Sequence, residues 1–264
     1  MNKVIRAEFG RTINAGLIIA IAGIIFSICF DSFNDLIAGL RNGQGYVGYF
    51  FSNAAFGGMC THYMLPVFTA LPFSVSLCQE RNNKAVSYIV SREGKNRYIF
   101  AKFIVSAISG GFVAVCGTVL LFLMLAMRFP IAGDEFEGAV VSDYFHEWSA
   151  VYYPQLYILT LSILAFCRGV IWSSLALCVS LYTSDFMVVF LSPFLGSYVL
   201  VRIFQIIRVP DMVRPDMILI GQVVIKSSGV TLIIAIAISL TIVTLIGAFF
   251  VGKMKEGLKS GAIY

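Results

Sequence analysis

Residues 79–102 read QERNNKAVSYIVSREGKNRYIFAK, a polar and basic island in a chain that is otherwise close to continuous oil. The island holds Arg81, Lys84, Arg92, Lys95, Arg97 and Lys102, six of the nineteen Lys and Arg residues. Long apolar runs flank it, so it must lie in water or against another protein. Glu80 and Lys84 stand at i, i+4 in the favourable order for a helical ion pair. Ala85, Val86, Ile89 and Val90 form an apolar stripe, with Asn82, Asn83, Ser87 and Ser91 elsewhere. Gly94 falls where a helix C-cap would, and a second polar turn, 95–102, leads into the next apolar run. The island therefore reads as a short amphipathic helix, a glycine turn and a basic lead-in. The alternative is an ordinary basic loop that fixes orientation, but such a loop has no need of its own stripe.

Outward from the island, the composition sets the solvent. Hydrophobic residues make up 59% of the 264 and charged residues 12%, about half the charge of a soluble domain. The chain belongs in a bilayer, and its length suits one membrane domain over 1–264. The formal charge of +5 sits beside apolar runs, which points to lipid headgroups and orientation rather than nucleic acid. Cys29, Cys60, Cys78, Cys116, Cys167 and Cys178 are scattered singly through those runs and read as small helix-facing residues.

A span needs about 20 apolar residues. Six runs qualify: 15–30, 59–78, 103–127, 152–181, 186–207 and 229–251. The first is short and is expected to borrow residues from 12–14. Lys3, Arg6 and Arg11 precede it as in a signal peptide, but no small-residue cleavage site follows Phe30, so it reads as a retained span. Six spans put both termini on one side. If that side is the cytoplasm, the inside holds Lys3, Arg6, Arg11, the island, Lys253, Lys255 and Lys259. The outside then holds only Arg41, Arg128, Arg208, Arg214 and Lys226. The positive-inside rule favours this orientation. The acidic loop around Asp134, Glu135, Glu137, Asp143 and Glu147 is then external.

Residues 1–14 are amphipathic, with Ile5, Phe9 and Ile13 opposite Lys3, Arg6, Arg11 and Asn14. An interfacial helix bending into the first span is expected. Glu8 falls on its apolar side. It reads either as a carboxylate snorkelling to the headgroups or as the salt-bridge partner of a basic island residue. Outside, 31–58 is long, Gly-rich and aromatic, with Tyr46, Tyr49, Phe50 and Phe51. Before the last run, 217–225 is apolar but spans about 13 Å as a helix. With Pro210 and Pro215 ahead of it, it reads as an interfacial or re-entrant half-helix.

Arg168 lies near the middle of the fourth run. A central Arg costs about 2.5–3.5 kcal/mol on insertion scales, so it must face protein or water. It is either a wall residue of a transport path, attracting anionic groups, or a structural cation bonded to helix carbonyls. Arg202 lies near an outer span end and can snorkel. Pro66 and Pro72 are expected to kink the second run and Pro193 the fifth. His62 and His146 are the only histidines, too few for a typical zinc hydrolase site, and no metal or catalytic constellation presents itself. The chain has no GxxxxGK[ST], so it cannot cradle ATP phosphates by that device.

A carboxylate-led element after the second run, a short helix, Gly-x-x-Arg, and an aromatic-x-x-x-Lys approach to the third run occur here as Glu80, Arg81, Gly94, Arg97, Tyr98 and Lys102. In these features, the amphipathic start with Glu8 and the six runs, the whole chain resembles ABC transporter permeases of the second type. The resemblance implies an all-α membrane protein with both termini cytoplasmic and a coupling helix between spans two and three. That helix, with Glu80, Arg81, Lys84, Tyr88, Ile89, Gly94 and Arg97, would dock on a separate cytoplasmic ABC ATPase carrying ATP and Mg. A second permease subunit, identical or homologous, would face it across a path for peptides, drugs or lipids in the plasma membrane. The chain itself would be no enzyme and hold no cofactor. Two other classes stand beside this one. A secondary transporter or channel would show paired intramembrane charges or an internal repeat. A membrane enzyme would show clustered His, Asp or Glu, whereas an immunity or scaffold protein would need only the island.

Overall fold

A computed structural model describes residues 2–42, 47, 50, 58–74, 76–131 and 153–260, and these residues form helices and turns only. The chain starts with α1 (Asn2–Thr12) and α2 (Ala15–Asp31), which meet at a 58° bend. The first span does not borrow residues 12–14. Instead the Asn14 side chain accepts the Leu17 N–H at 3.1 Å and starts a new helix. A second helix of this segment, α3 (Phe33–Asn42), follows directly. Ser32 Oγ donates to the buried Phe50 carbonyl at 2.6 Å. Tyr46, Tyr49 and Phe51 lie outside the described residues.

Next comes α4 (Met59–Ala70), whose first turn is pinned to the end of α2. The Asp31 carboxylate accepts the Cys60 N–H at 2.9 Å and the Thr61 N–H at 2.6 Å. Anionic oxygens suit these orphan amides at a helix start. The second run was expected to kink at Pro66 and Pro72. Pro66 is accommodated inside α4, whereas at Pro72 the helix breaks outright across 71–74. The chain resumes as α5 (Ser76–Asn82), turns at Asn83 and Lys84, and continues as α6 (Val86–Glu93).

From Gly94 onward the helices lengthen: α7 (Lys95–Ala126), α8 (Pro154–Val179) and α9 (Phe186–Ile207). The acidic loop with Asp134, Glu135, Glu137, Asp143 and Glu147, and also His146, lies outside the described residues. After α9 a 3₁₀ turn, Asp211–Val213, leads into α10 (Pro215–Ile220) and then α11 (Ser228–Ser260). The outer half-helix is thus six residues long and earlier than 217–225. Pro215 opens it, and Gly221, at φ 88°, closes it in the left-handed region that favours glycine. The helices α7, α8, α9 and α11 are each long and apolar enough to cross a membrane, and the bent pair α1–α2 adds a fifth candidate.

The seam between α7 and α8 is the centre of the fold. Ser106 and Gly110 on α7 face Gly169 and Ser173 on α8, a small-xxx-small pattern on both sides that brings backbones close. A Cβ on Gly169 would sit 2.5 Å from the Gly110 carbonyl oxygen. Ser74, from the break after α4, joins the seam. Its hydroxyl lies 3.2 Å from that of Ser106 and 3.1 Å from that of Ser173. The break is therefore tethered to the central pair. Around this centre α9 and α11 pack on α8 and turn most of their apolar side chains outward.

Gly169→Val should lower stability by at least about 1–3 kcal/mol, because the new side chain meets backbone rather than a movable group. Gly252→Ala on exposed α11 meets nothing within 4 Å and should be neutral or gain up to about 1 kcal/mol. Thermal unfolding of the detergent-solubilised variants measures both.

Candidate functional site

The island end of the bundle is organised around Lys102. The lysine lies two turns into α7 with no exposed surface. Its Nζ donates to Glu80 Oε1 at 2.7 Å and to Glu8 Oε2 at 3.2 Å. Arg11 Nη1 donates to the same Glu80 oxygen at 2.6 Å and to Glu8 Oε1 at 3.3 Å. Tyr98, one turn before Lys102 and fully buried, gives its hydroxyl proton to Glu80 Oε2 at 2.5 Å. The ammonium also lies 4.8 Å from the centre of the Phe73 ring, within cation–π reach. Two carboxylates meet two cations, so the cluster is neutral as a whole. Its members come from α1, α5 and α7, with the ring of Phe73 supplied by the break between α4 and α5.

This geometry corrects the surface role expected of Glu80. Its carboxylate faces inward and makes no pair with Lys84, which lies past the end of α5 in a left-handed turn at φ 52°. A surface i, i+4 pair is worth about 0.3–0.5 kcal/mol, far less than three buried charge-assisted contacts. Arg81 is also turned inward. Its Nη1 donates to the Ser180 carbonyl at 2.9 Å and the Leu181 carbonyl at 3.3 Å, at the C-terminal end of α8 where a cation is favoured. Glu8 is in the ion pair with Lys102 rather than at a headgroup edge.

The stripe of the island packs as its pattern predicts. Val86 and Val90 are buried with Leu77, Tyr98, Met254 and Leu258, while Ala85 and Ile89 are half-buried. Gly94 takes φ 85° between α6 and α7, and its N–H closes α6 onto the Val90 carbonyl at 3.0 Å. The opposite face of α6 is open. Tyr88 is 78% exposed, and Lys84, Arg92, Lys95 and Arg97 of the same island are also exposed, Arg92 pairing with Glu93 at 3.0 Å. Sequence reasoning offered Glu8 as a partner of an island cation, which the Lys102 pair matches, but missed that Glu80 and Tyr98 turn inward to join it. The available signal was a carboxylate on the apolar side of α1 together with Tyr98 and Lys102 at i, i+4.

A second site surrounds Arg168, which is buried on α8. Its guanidinium donates to the Thr61 carbonyl at a long 3.4 Å and lines a cavity of about 160 Å³. The bond to the Thr61 carbonyl fits the reading of a structural cation. His62, Trp172 and Asp216 share the lining. Asp216 is already neutralised by Arg214 at 2.7 Å, and hydrogen bonding to Asp216 pushes the Arg214 guanidinium above its ordinary pKa. Arg202 is exposed and donates to Tyr198 and Gln205. No group of His, Cys, Asp and Glu among the described residues has the arrangement of a metal site. No protein-family model, curated protein or solved structure matches this chain.

Lys102→Met should cost about 3–5 kcal/mol, because it leaves two buried carboxylates with only the half-exposed Arg11. Arg11→Ala should cost about 1 kcal/mol or less. Replacing Glu8, Glu80 and Lys102 together by Gln, Gln and Met should recover part of the first loss. Thermal unfolding in one detergent compares the three.

Proposed function

We propose that this chain is the membrane subunit of an ATP-driven exporter, an ABC transporter permease of the second type. The observation that carries the reading is α6. One face of this short helix is fixed to the bundle through Val86 and Val90, and the other offers an exposed tyrosine in a segment whose Lys84, Arg92, Lys95 and Arg97 are also exposed. Exposed Tyr and Arg are the residue types that dominate binding energy at protein interfaces. The docking set is then Lys84, Tyr88, Arg92, Lys95 and Arg97, with Ile89 at its edge and Gly94 setting the angle between α6 and α7. Glu80 and Arg81 act behind it, holding the helix to the bundle.

In this reading α2, α4 continued through its break into α5, α7, α8, α9 and α11 are six crossings, with both termini and α6 in the cytoplasm. Two features support it. Residues of α6, α7 and the end of α11 share one buried cluster, and α1 meets the same end through Glu8 and Arg11. The basic residues Arg6, Arg11, Lys84, Arg92, Lys95, Arg97, Lys253, Lys255 and Lys259 gather at that end, as the positive-inside rule requires of a cytoplasmic face. A separate ABC ATPase, with its ATP and Mg, would push on α6. The Lys102 cluster would pass that push to α1, α5 and α7 as one body. The outward apolar faces of α9 and α11 would meet lipid or a second permease subunit. The cargo is a peptide, drug or lipid-like molecule crossing the plasma membrane.

The chain purified from its native membrane should carry an ATPase with a GxxxxGK[ST] motif. Tyr88→Glu should cut recovery of that ATPase by at least about thirtyfold, the equivalent of about 2 kcal/mol. Its effect on thermal stability should stay within about 0.5 kcal/mol. An active chain that purifies alone would overturn the proposal.

A further inference from the structure

The cavity beside Arg168 has one charge that no described residue answers. Arg168 is 7% exposed, and among the described residues no carboxylate lies within ion-pair distance of it. Its hydrogen bond to the Thr61 carbonyl, at 3.4 Å, is long for a charged donor and leaves most of the guanidinium edge unused. The other charges near the cavity are satisfied. Asp216 accepts two hydrogen bonds from Arg214, and Arg214 also reaches the exposed Asp211. The Thr61 hydroxyl, on the small pocket at the other side of Arg168, is itself buried without a partner among the described residues. A buried charge left in this condition costs several kcal/mol unless an opposite charge reaches it.

His62, Ser197 and Asp216 are the other polar members of the lining, and the rest of the wall is apolar. Trp172 and Leu175 of α8 form the floor, and Ile242 and Ile246 of α11 face Leu200 of α9 across it. Both α9 and α11 pack on α8 and barely touch one another, so the cavity occupies the crevice between them. Gly196 keeps the crevice open over the indole, since a Cβ there would stand 3.2 Å from the Trp172 ring. A second hollow of about 170 Å³ adjoins at His62 and Asp216. A cavity near 150 Å³ holds a benzene-sized body, so the first hollow accepts a short apolar chain.

We propose that this crevice binds an amphipathic organic anion. Its apolar chain lies along Trp172 and Leu175, and its carboxylate, sulfate or phosphate pairs with Arg168. The shared chemistry is one negative group on an apolar body, whether the molecule is a free small anion or a membrane lipid. The site needs no partner chain, so it stands or falls apart from the docking of an ATPase.

Trp172 is one of the two tryptophans, so Trp148→Phe leaves a single reporter in the wall. In nanodiscs of zwitterionic lipid, bromo-octanoate should quench Trp172 saturably. It should do so at a concentration at least about tenfold below bromo-octanol or bromo-octylammonium, the margin of one charge-assisted bond. Arg168→Gln should erase the preference for the anion while leaving quenching by the alcohol in place. If that variant does not fold, the ratio of anion to alcohol in the Arg168 protein decides. Competition by an anionic phospholipid in the nanodisc identifies a lipid as the occupant, and its absence identifies a free anion. Equal quenching by all three probes, or an anion preference that survives Arg168→Gln, overturns the proposal.

Discussion

One ammonium group, that of Lys102, sets the terms for an entire end of this molecule. It has no exposed surface, and a cation without water must have anions and must have them close. Glu80 and Glu8 supply them from helices far apart in sequence, and Arg11 and Tyr98 add further donors to the carboxylates. A neutral, multiply bonded cluster of this kind has one good arrangement and many poor ones. It therefore fixes how α1, α5 and α7 sit relative to one another more sharply than apolar packing would.

Two local irregularities make the cluster possible. The bend capped by Asn14 lets α1 leave the direction of α2 and bring Glu8 and Arg11 over α7. The break at Pro72 lets α5 turn Glu80 inward and places Phe73 against the ammonium. The two are also joined, since the Asn14 amide donates to the Pro72 carbonyl at 3.4 Å. The break is held at depth by Ser74 in the hydroxyl cluster with Ser106 and Ser173. A chain of direct contacts thus runs from the surface of α6, through the buried charges, to the tight seam between α7 and α8. By contrast α9 and α11 leave a crevice between them with Arg168 at its wall. The fold joins a densely bonded end to a flank that holds a crevice.

Much of this was legible in the residues. The apolar runs gave the helices, the stripe of Val86 and Val90 gave the buried face of α6, and Gly94 gave its end. These signals are local and repeat with the helix period. What escaped was long-range. Glu80 and Lys84 satisfy a helical pairing rule, yet Glu80 meets partners 22 and 69 positions away. No spacing rule reports such a pairing, although a carboxylate on the apolar side of α1 was a sign that Glu8 had a buried partner. Proline position foretold a disturbance at Pro72 but not its extent, because the depth of a break depends on what tethers it, here Ser74. The outer half-helix was placed late because apolar content, rather than the Pro215 start and Gly221 stop, was allowed to set its limits.

Backbone hydrogen exchange in nanodiscs, comparing the native chain with Lys102→Met, tests the account most directly. If the lysine binds three helices into one body, amides of α1, α5 and the first turns of α7 lose protection together and by similar factors, while the Gly110–Gly169 seam of α7 and α8 keeps its own. Loss of protection confined to the first turns of α7, with α1 and α5 unchanged, would contradict it.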